Sequence, residues 1–185
     1  MPAAEERPTP GRRPATAAEA RALASPLRLR IIRELFDGPL TNTQIAGRVG
    51  RDKASVLHHV RVLVDADFVE ALPPRPGPRG SRERPYRSTG KSWRLDVANQ
   101  AGQSDGDGPS VENAMLQAFV QEMAAAPARP ILTRLALRLS APDSEELAAR
   151  LTALLDEFAD RPPDPEGEPL ALFLTLHRRA DHPPA

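Results

Sequence analysis

The chain has 185 residues, enough for one compact domain or two small ones. It contains no cysteine, which excludes disulfide scaffolds, thiolate zinc sites and thiol redox sensing. Its first residues are charged and proline-rich, and no apolar run approaches the roughly 20 residues of a membrane span. We therefore expect a soluble cytoplasmic protein with no membrane partner.

The charge is unevenly divided, although its sum is zero. Residues 1–100 contain 18 Lys and Arg against 11 Asp and Glu, a net charge of +7. Residues 101–185 contain 7 against 14, a net charge of −7. This asymmetry favours an N-terminal half that faces a polyanion and a C-terminal half with another task. Chance segregation in an Arg-rich and Glu-rich chain is the alternative.

The first elements in chain order are helices. Residues 1–15 are rich in Pro, Gly and charge, which predicts a disordered arm. The Ala-rich run from Thr16 to Ala24 predicts a short helix. Ser25 and Pro26 then fit the N-cap and first position of a second helix, which residues 37–39 (Asp-Gly-Pro) end.

Two more helices follow. Thr41 and Gln44 fit a capping box that begins the third helix, which ends at Gly50. Asp52 fits the N-cap of a fourth helix, from Lys53 to about Ala66. The spacing of apolar residues predicts the buried stripe of this helix: Val56, Val60, Leu63 and Val64.

A hairpin is predicted next. Residues 68–72 alternate as a short strand, and residues 85–88 return as a second strand. Residues 73–83 are too rich in Pro, Gly and Arg for a regular element. Helix, helix, short turn, helix and basic hairpin is the order of a winged helix domain, which we place at residues 16–99.

The remaining sequence predicts a linker at residues 100–109 and a small α-β-α-β domain at residues 110–180, so that the fold class is α+β. The elements of this second domain are a helix capped by Ser110, a strand at 131–139, a helix from about 144 to 159 and a strand at 170–177. Two strands alone are marginal in water. We therefore expect this domain to complete its sheet with a second subunit, as a homodimer, or on the other domain.

The fourth helix and the hairpin carry the predicted contacts with double-stranded DNA. The buried stripe leaves a small, polar face pointing outward, and such a face can enter a major groove about 12 Å wide. Arginines in an open hairpin can clamp phosphate or enter the minor groove, although a solvated Arg-rich loop is the alternative. The predicted DNA-contacting residues are Thr41, Thr43, Gln44, Lys53, Ala54, Ser55, Leu57, His58, Arg61, Arg75, Arg79, Arg82 and Arg84.

The segment from about residue 17 to 93 resembles the ArsR-type winged helix-turn-helix regulators. The matching stretches are residues 25–32 (SPLRLRII), 43–46 (TQIA) and 55–63 (SVLHHVRVL). The resemblance implies homodimers that bind inverted repeats, usually as repressors released by a signal. Metal-sensing members use cysteine or clustered His and acids, which this chain lacks, so we predict no metal site and no cofactor. Asp67 stands where such proteins usually have Gly, and Asp tolerates the left-handed conformation better than most residues.

The sequence predicts a sequence-specific DNA-binding transcriptional regulator. It shows no nucleophile with a base partner, so no enzyme activity is expected. Met115, Phe119 and Met123 can line an effector pocket, with buried dimer core as the alternative, and the effector itself is unknown. The competing function is a winged helix that binds proteins without reading DNA. The basic, polar outward face of the fourth helix favours the regulator.

Overall fold

The computed structural model describes residues 12–77, 80–97, 110–127, 131–162, 164 and 166–177. The chain divides into two units, unit 1 at Met1–Arg129 and unit 2 at Pro130–Ala185. The described elements of unit 1 are β1 (Arg13–Pro14), α1 (Ala17–Leu23), α2 (Pro26–Glu34), β2 (Leu40–Thr41), α3 (Asn42–Val49), α4 (Lys53–Asp65), β3 (Val69–Ala71), β4 (Arg75–Pro76), β5 (Arg82–Glu83), β6 (Pro85–Ser88), a 3-10 turn (Lys91–Arg94), β7 (Leu95–Asp96) and α5 (Val111–Ala125). Unit 2 contains α6 (Ala141–Ala159).

The predicted starts of α2, α3 and α4 are confirmed. Ser25 is the N-cap of α2, with Pro26 in the first turn. At α3 the Thr41 hydroxyl accepts from the backbone N–H of Gln44 at 3.3 Å, and the Gln44 side chain accepts from the Thr41 N–H at 2.9 Å. Asp52 caps α4 by accepting from the third helical N–H at 2.8 Å. These bonds satisfy donors that the first turn of a helix leaves unpaired.

The core of unit 1 lies where α2, α3 and α4 meet the strands. Its largest fully buried side chains include Phe68, Ile31 and Leu35. The predicted stripe of α4 is buried at Val56, Val60 and Leu63, while Val64 is half-buried at the edge of the same core. This packing fixes which side of α4 faces outward.

The main sheet has the order β2-β6-β3, with both pairings antiparallel. β6 has the predicted bounds, and β3 is shorter than the predicted strand. Residues 73–83, predicted to be irregular, contain the short antiparallel pair β4–β5. The prediction failed because Pro and Gly stand where a hairpin end tolerates them: Gly77 donates its N–H to the Ser81 carbonyl at 2.7 Å, and Gly80 has a φ of +75°.

Residues 12–15 are ordered, unlike the predicted arm. β1 pairs with β7 in parallel, Arg13 opposite Leu95 and Pro14 opposite Asp96. Ala15 is buried and donates its N–H to the Asp96 carbonyl at 3.0 Å. Composition alone predicted disorder here, because it does not reveal a strand elsewhere in the chain that can pair with the arm. β7 is such a strand. The rest of the predicted arm, residues 1–11, lies outside the described residues.

Helix α5 belongs to unit 1, which differs from the predicted C-terminal domain at residues 110–180. Its buried residues are small and lie on one face: Val111, Ala114 and Ala118. On the neighbouring turns Arg30 of α2 donates to Gln121 at 3.2 Å, and Arg33 of α2 pairs with Glu122 at 3.5 Å. The small residues allow a close approach to α2, and this contact was not visible in the sequence pattern. The predicted linker at 100–109 lies outside the described residues.

Unit 2 lacks the two predicted strands. Residues 131–140 and 168–177 have no regular secondary structure, and no described side chain of unit 2 is buried. Helix α6 starts three residues before its predicted position because Ser140 supplies the cap, accepting from the Asp143 N–H at 3.2 Å. The apolar residues of both segments do alternate at period two. A strand also needs a partner for its backbone groups, and the described part of unit 2 supplies none.

Asp67, between α4 and β3, has a φ of +59°, as the sequence analysis anticipated. A Cβ in this conformation is strained, and glycine removes the strain. We expect Asp67→Gly to stabilise unit 1 by up to about 1 kcal/mol, because the strain outweighs the entropy that glycine loses on folding. Asp65→Gly, within the last turn of α4, is the matched control and should destabilise by about 1 kcal/mol. Thermal unfolding followed by circular dichroism measures both; equal destabilisation would contradict this account of Asp67.

Candidate nucleic-acid interface

The turn between α3 and α4 sets the direction of α4. Gly50 ends α3 in the left-handed conformation, with a φ of +66°. The Asn42 side-chain amide donates to the Lys53 carbonyl at 2.9 Å, which ties the start of α3 to the start of α4. Arg30 of α2 reaches the Val49 carbonyl at the end of α3. The two helices are therefore held as a rigid pair by backbone geometry and side-chain bonds.

The face of α4 opposite the core carries the predicted contact residues. Lys53, Ala54, His58 and Arg61 are exposed, and Ser55 and Leu57 are half-buried beside them. The exposed side chains span two turns and include two cations with long, flexible stems. Such a surface suits entry into a groove lined with base edges and phosphates.

The predicted residues at the start of α3 separate into two groups. Thr43 and Gln44 are exposed, although the Oε1 of Gln44 already accepts from the Thr41 N–H. Thr41 is 4% exposed, and its hydroxyl accepts from the Gln44 N–H. In this structure Thr41 holds the helix start rather than facing outward.

The hairpin β3–β6 adds a second basic surface. Arg75, Arg82 and Arg84 are exposed along it, and Arg79 lies outside the described residues. Arg87 differs from them, because it pairs across the hairpin with Glu70 at 2.9 Å. The described part of the hairpin thus carries exposed guanidinium groups on and beside β4 and β5, and a charge pair between β3 and β6.

One pairing decides the architecture. The strand that precedes α3 hydrogen-bonds to the returning strand of the hairpin, Leu40 opposite Tyr86 and Thr41 opposite Pro85. The hairpin is thereby attached as a wing beside α3 and α4. The described residues of 12–97 form a winged helix-turn-helix domain. This domain has the fold that DNA-binding transcription regulators use.

Comparison with known proteins agrees with the domain. Residues 23–70 match the family model of a helix-turn-helix domain. This segment contains α2, α3, α4 and the start of β3, and the wing continues beyond it. No curated protein matches the chain.

The chain is similar to several solved structures. One is the homodimeric winged helix-turn-helix DNA-binding domain of a possible ArsR-family transcriptional regulator from Mycobacterium bovis, at 25% identity over 57% of this chain and 73% of that one, with a TM-score of 0.33. Another is a ZitR variant from Lactococcus lactis, at 16% identity over 73% and 83% of the two chains, with a TM-score of 0.33. A third is the adhesin competence repressor of Streptococcus pyogenes, at 16% identity over 71% and 78%, with a TM-score of 0.32. The fold assignment itself rests on the family match and on the observed elements.

The sequence analysis missed Arg51, in the turn of the winged helix-turn-helix domain. Arg51 is exposed and, together with Thr43 and Lys53, lines a shallow concavity between α3 and α4. Gly47 and Gly50 form part of its floor and leave it open. The sequence could have indicated this position. Arg51 stands between Gly50, which ends α3, and Asp52, which caps α4, so it must lie in the turn between the two helices.

The adjacent histidines of α4 have different surroundings. His58 is exposed, whereas His59 is half-buried. Burial lowers the pKa of His59, and the positive charge of Arg28 lowers it further. Both effects disfavour the charged form of His59, and His58 is the histidine exposed at the surface.

The described residues contain no group of three or more His, Cys, Asp or Glu side chains that could hold a metal ion. No helix in the described part of the chain is long and apolar enough to cross a membrane. Of the three residues predicted for an effector pocket, Met115 packs against the core of unit 1, and Phe119 and Met123 are half-buried on the same helix. An effector pocket at these residues stays a prediction.

Proposed function

We propose that this protein acts in the cytoplasm as a homodimeric repressor of transcription, in which two copies of α4 read the half-sites of an inverted repeat. Lys53, Ser55, His58 and Arg61 contact base edges or phosphates in successive major grooves. The wing arginines contact the flanking backbone. Half-sites lie about 10 bp apart, or a multiple of that distance, because the recognition helices of a dimer must meet the same face of the duplex.

The outward face of α4 carries the proposal. A helix-turn-helix used only for protein binding would present an apolar or acidic surface there. This one presents Lys53, His58 and Arg61, all exposed, beside Arg51 in the preceding turn. The wing adds cations on the same domain, which fits a polyanion that occupies both surfaces. No catalytic role is proposed for any residue.

The test is selection of a preferred duplex from random DNA with the full chain, followed by fluorescence anisotropy with the selected and a scrambled duplex at about 150 mM salt. The proposal expects the selected duplex to bind at least about 10³-fold more tightly and to contain two related half-sites. Equal affinity for both duplexes would favour the protein-interaction module. A preferred duplex that contains only one half-site would contradict the proposal that a homodimer binds an inverted repeat.

Removing a wing arginine should change the salt dependence of binding. Arg82 lies exposed on β5, opposite Pro76, and we expect it to contact a phosphate. In Arg82→Ala the slope of log K against log salt should fall in magnitude by about 1 per subunit, with similar affinity losses for selected and scrambled duplexes.

Arg150→Ala is the control for this measurement. Arg150 is an exposed arginine of α6 that pairs with Glu146 one turn away, and it belongs to unit 2. Its removal changes the charge of the chain by the same amount as Arg82→Ala. An Arg82→Ala slope equal to that of Arg150→Ala would count against a wing–phosphate contact.

A further inference from the structure

The apolar surface of unit 2 has no cover in the described chain. Eleven large apolar residues of this unit are at least 43% exposed, and nine of them lie in residues 131–139 and 170–176. At about 100 Å² of apolar surface per fully exposed side chain, they present on the order of 700 Å² to solvent. Each partner in a standard protein interface buries about 800 Å². The exposed area is therefore that of one side of a stable interface.

Two segments of unit 2 have the residue pattern of strands but belong to none of the sheets that the described residues form. Residues 131–139 place Ile131, Leu135, Leu137 and Leu139 in one row at period two. Residues 170–177 place Leu170, Leu172, Leu174 and Leu176 in one row. A single row of this kind is the signature of a strand that buries one face.

The opposite rows differ in charge, and this difference assigns the two segments to different places in a sheet. In residues 131–139 the opposite row contains Arg134 and Arg138. Charged side chains of this kind protect the outer strand of a sheet from pairing with other chains. Residues 170–177 contain no Asp, Glu, Lys or Arg, and their opposite row includes Phe173. A strand without charge on either row is typical of the interior of a sheet.

Two strands from one copy cannot both satisfy these assignments, because a two-stranded sheet has only edges. We propose that residues 170–177 of two copies pair antiparallel about a two-fold axis, with residues 131–139 as the outer strands of a four-stranded sheet. A second copy is the occupant that fits, since the same uncharged segment then meets itself across the axis and each copy contributes one protected edge. The inference specifies the interface of the homodimer proposed above, and it does not depend on DNA binding.

Cysteine cross-linking tests the strand order, because the natural chain has no cysteine. Single cysteines are placed in turn at each residue of 131–139 and 170–177 in the full chain, and covalent dimers are measured after mild oxidation without DNA. A residue at the two-fold axis meets its own copy at about 4.5–5.5 Å between Cα atoms, within disulfide reach. A residue two positions from the axis is displaced from the same residue of the other copy by about 13 Å along the strands. The outer strands are about 14 Å apart across the sheet.

The expected result is one sharp maximum of cross-linking within residues 170–177 and background cross-linking throughout 131–139. A maximum within 131–139, or equal cross-linking of both segments, would overturn the proposed order. Because the readout does not involve DNA, a failure here is distinguishable from a failure to bind an operator.

A matched pair of alanines gives the second measurement. Ala171 lies in the proposed central segment and Ala136 in the proposed outer one, between Arg134 and Arg138; both are exposed. Ala171→Lys should raise the dimer dissociation constant at least about tenfold in sedimentation equilibrium, and Ala136→Lys should change it less than about twofold. Equal effects, or a wild-type chain that stays monomeric at all concentrations tested, would overturn the proposal.

Discussion

Arg61→Ala should weaken binding to the selected operator about 10- to 100-fold and weaken binding to scrambled DNA far less. Arg61 is exposed on the side of α4 opposite the buried Val56 and Val60, two turns from the start of the helix. An arginine that bonds to a base edge contributes about 1–3 kcal/mol of discrimination against the wrong base. A phosphate contact contributes equally to every sequence.

The ratio of the two affinities therefore distinguishes the roles of Arg61. Anisotropy titrations with the selected and scrambled duplexes at one salt concentration measure it. Arg150→Ala again controls for the loss of one positive charge. If both affinities of Arg61→Ala fell by the same factor, Arg61 would be a phosphate contact and the sequence would be read by other residues of α4.

Glu19→Gln should destabilise unit 1 by about 2–3 kcal/mol at pH 7. The Glu19 side chain is 9% exposed. Arg13 donates to its two oxygens at 2.6 and 2.9 Å, and the Lys91 ammonium lies 2.9 Å from Oε1. Lys91 also donates to the Ala66 carbonyl at 2.8 Å. One carboxylate thus joins β1, α1 and the segment that follows the wing. An amide in its place leaves the Arg13 guanidinium without its counter-charge and leaves Lys91 with the more distant Asp67 carboxylate, at 3.9 Å.

The effect of Glu19 should depend on pH in a defined direction. The hydrogen bonds from Arg13, followed by those from Lys91 and Thr16, hold the pKa of Glu19 well below its ordinary value of 4.5, although burial opposes them. A carboxyl group with a lowered pKa in the folded state stabilises the protein fully above its unfolded pKa. The difference in unfolding free energy between wild type and Glu19→Gln should be constant above about pH 5.5 and shrink as the pH falls below about 4.5.

Urea unfolding followed by the fluorescence of Trp93, the single tryptophan, measures this difference in unit 1. The matched control is Glu34→Gln, because Glu34 pairs with Arg48 at 3.4 Å on a more exposed surface and should cost less than about 1 kcal/mol. A destabilisation by Glu19→Gln that is the same at pH 3.5 and pH 7 would mean that packing, not the charge of the carboxylate, provides the stability.

Local chemistry explains what the sequence could predict. Caps at Ser25, Thr41 and Asp52 involve residues three positions apart, so they are visible in the chain itself. The buried stripe of α4 follows from helical periodicity, and it determines the outward side chains by elimination. The position of β6 was predictable because this short segment lies between the Pro- and Gly-rich residues before it and Gly90 after it.

Apart from the local β4–β5 pair, the features that were missed depend on partners distant in the sequence. β2 has two residues, too few for a pattern, and forms because β6 is available to it. β1 follows an arm rich in Pro and Arg and is held by β7, about 80 residues later. Helix α5 was predicted to belong to the C-terminal domain and belongs to unit 1, because its small residues, Ala114 and Ala118, do not specify which helix they approach. In unit 2 the period-two pattern predicted strands at 131–139 and 170–177, and the described residues of these segments form neither.

The attachment of α5 to α2 affects how the protein can be dissected. The family match ends at residue 70, yet the core of unit 1 includes Leu95 from β7 and Val111 from α5. A fragment limited to residues 23–70 would lose the wing and would remove Leu95 and Val111 from the core that contains Ile31. Residues 12–127 are thus the shortest span that keeps every described contact of unit 1. Deletion experiments that separate the proposed DNA binding from the proposed dimerisation should cut after α5 rather than before it.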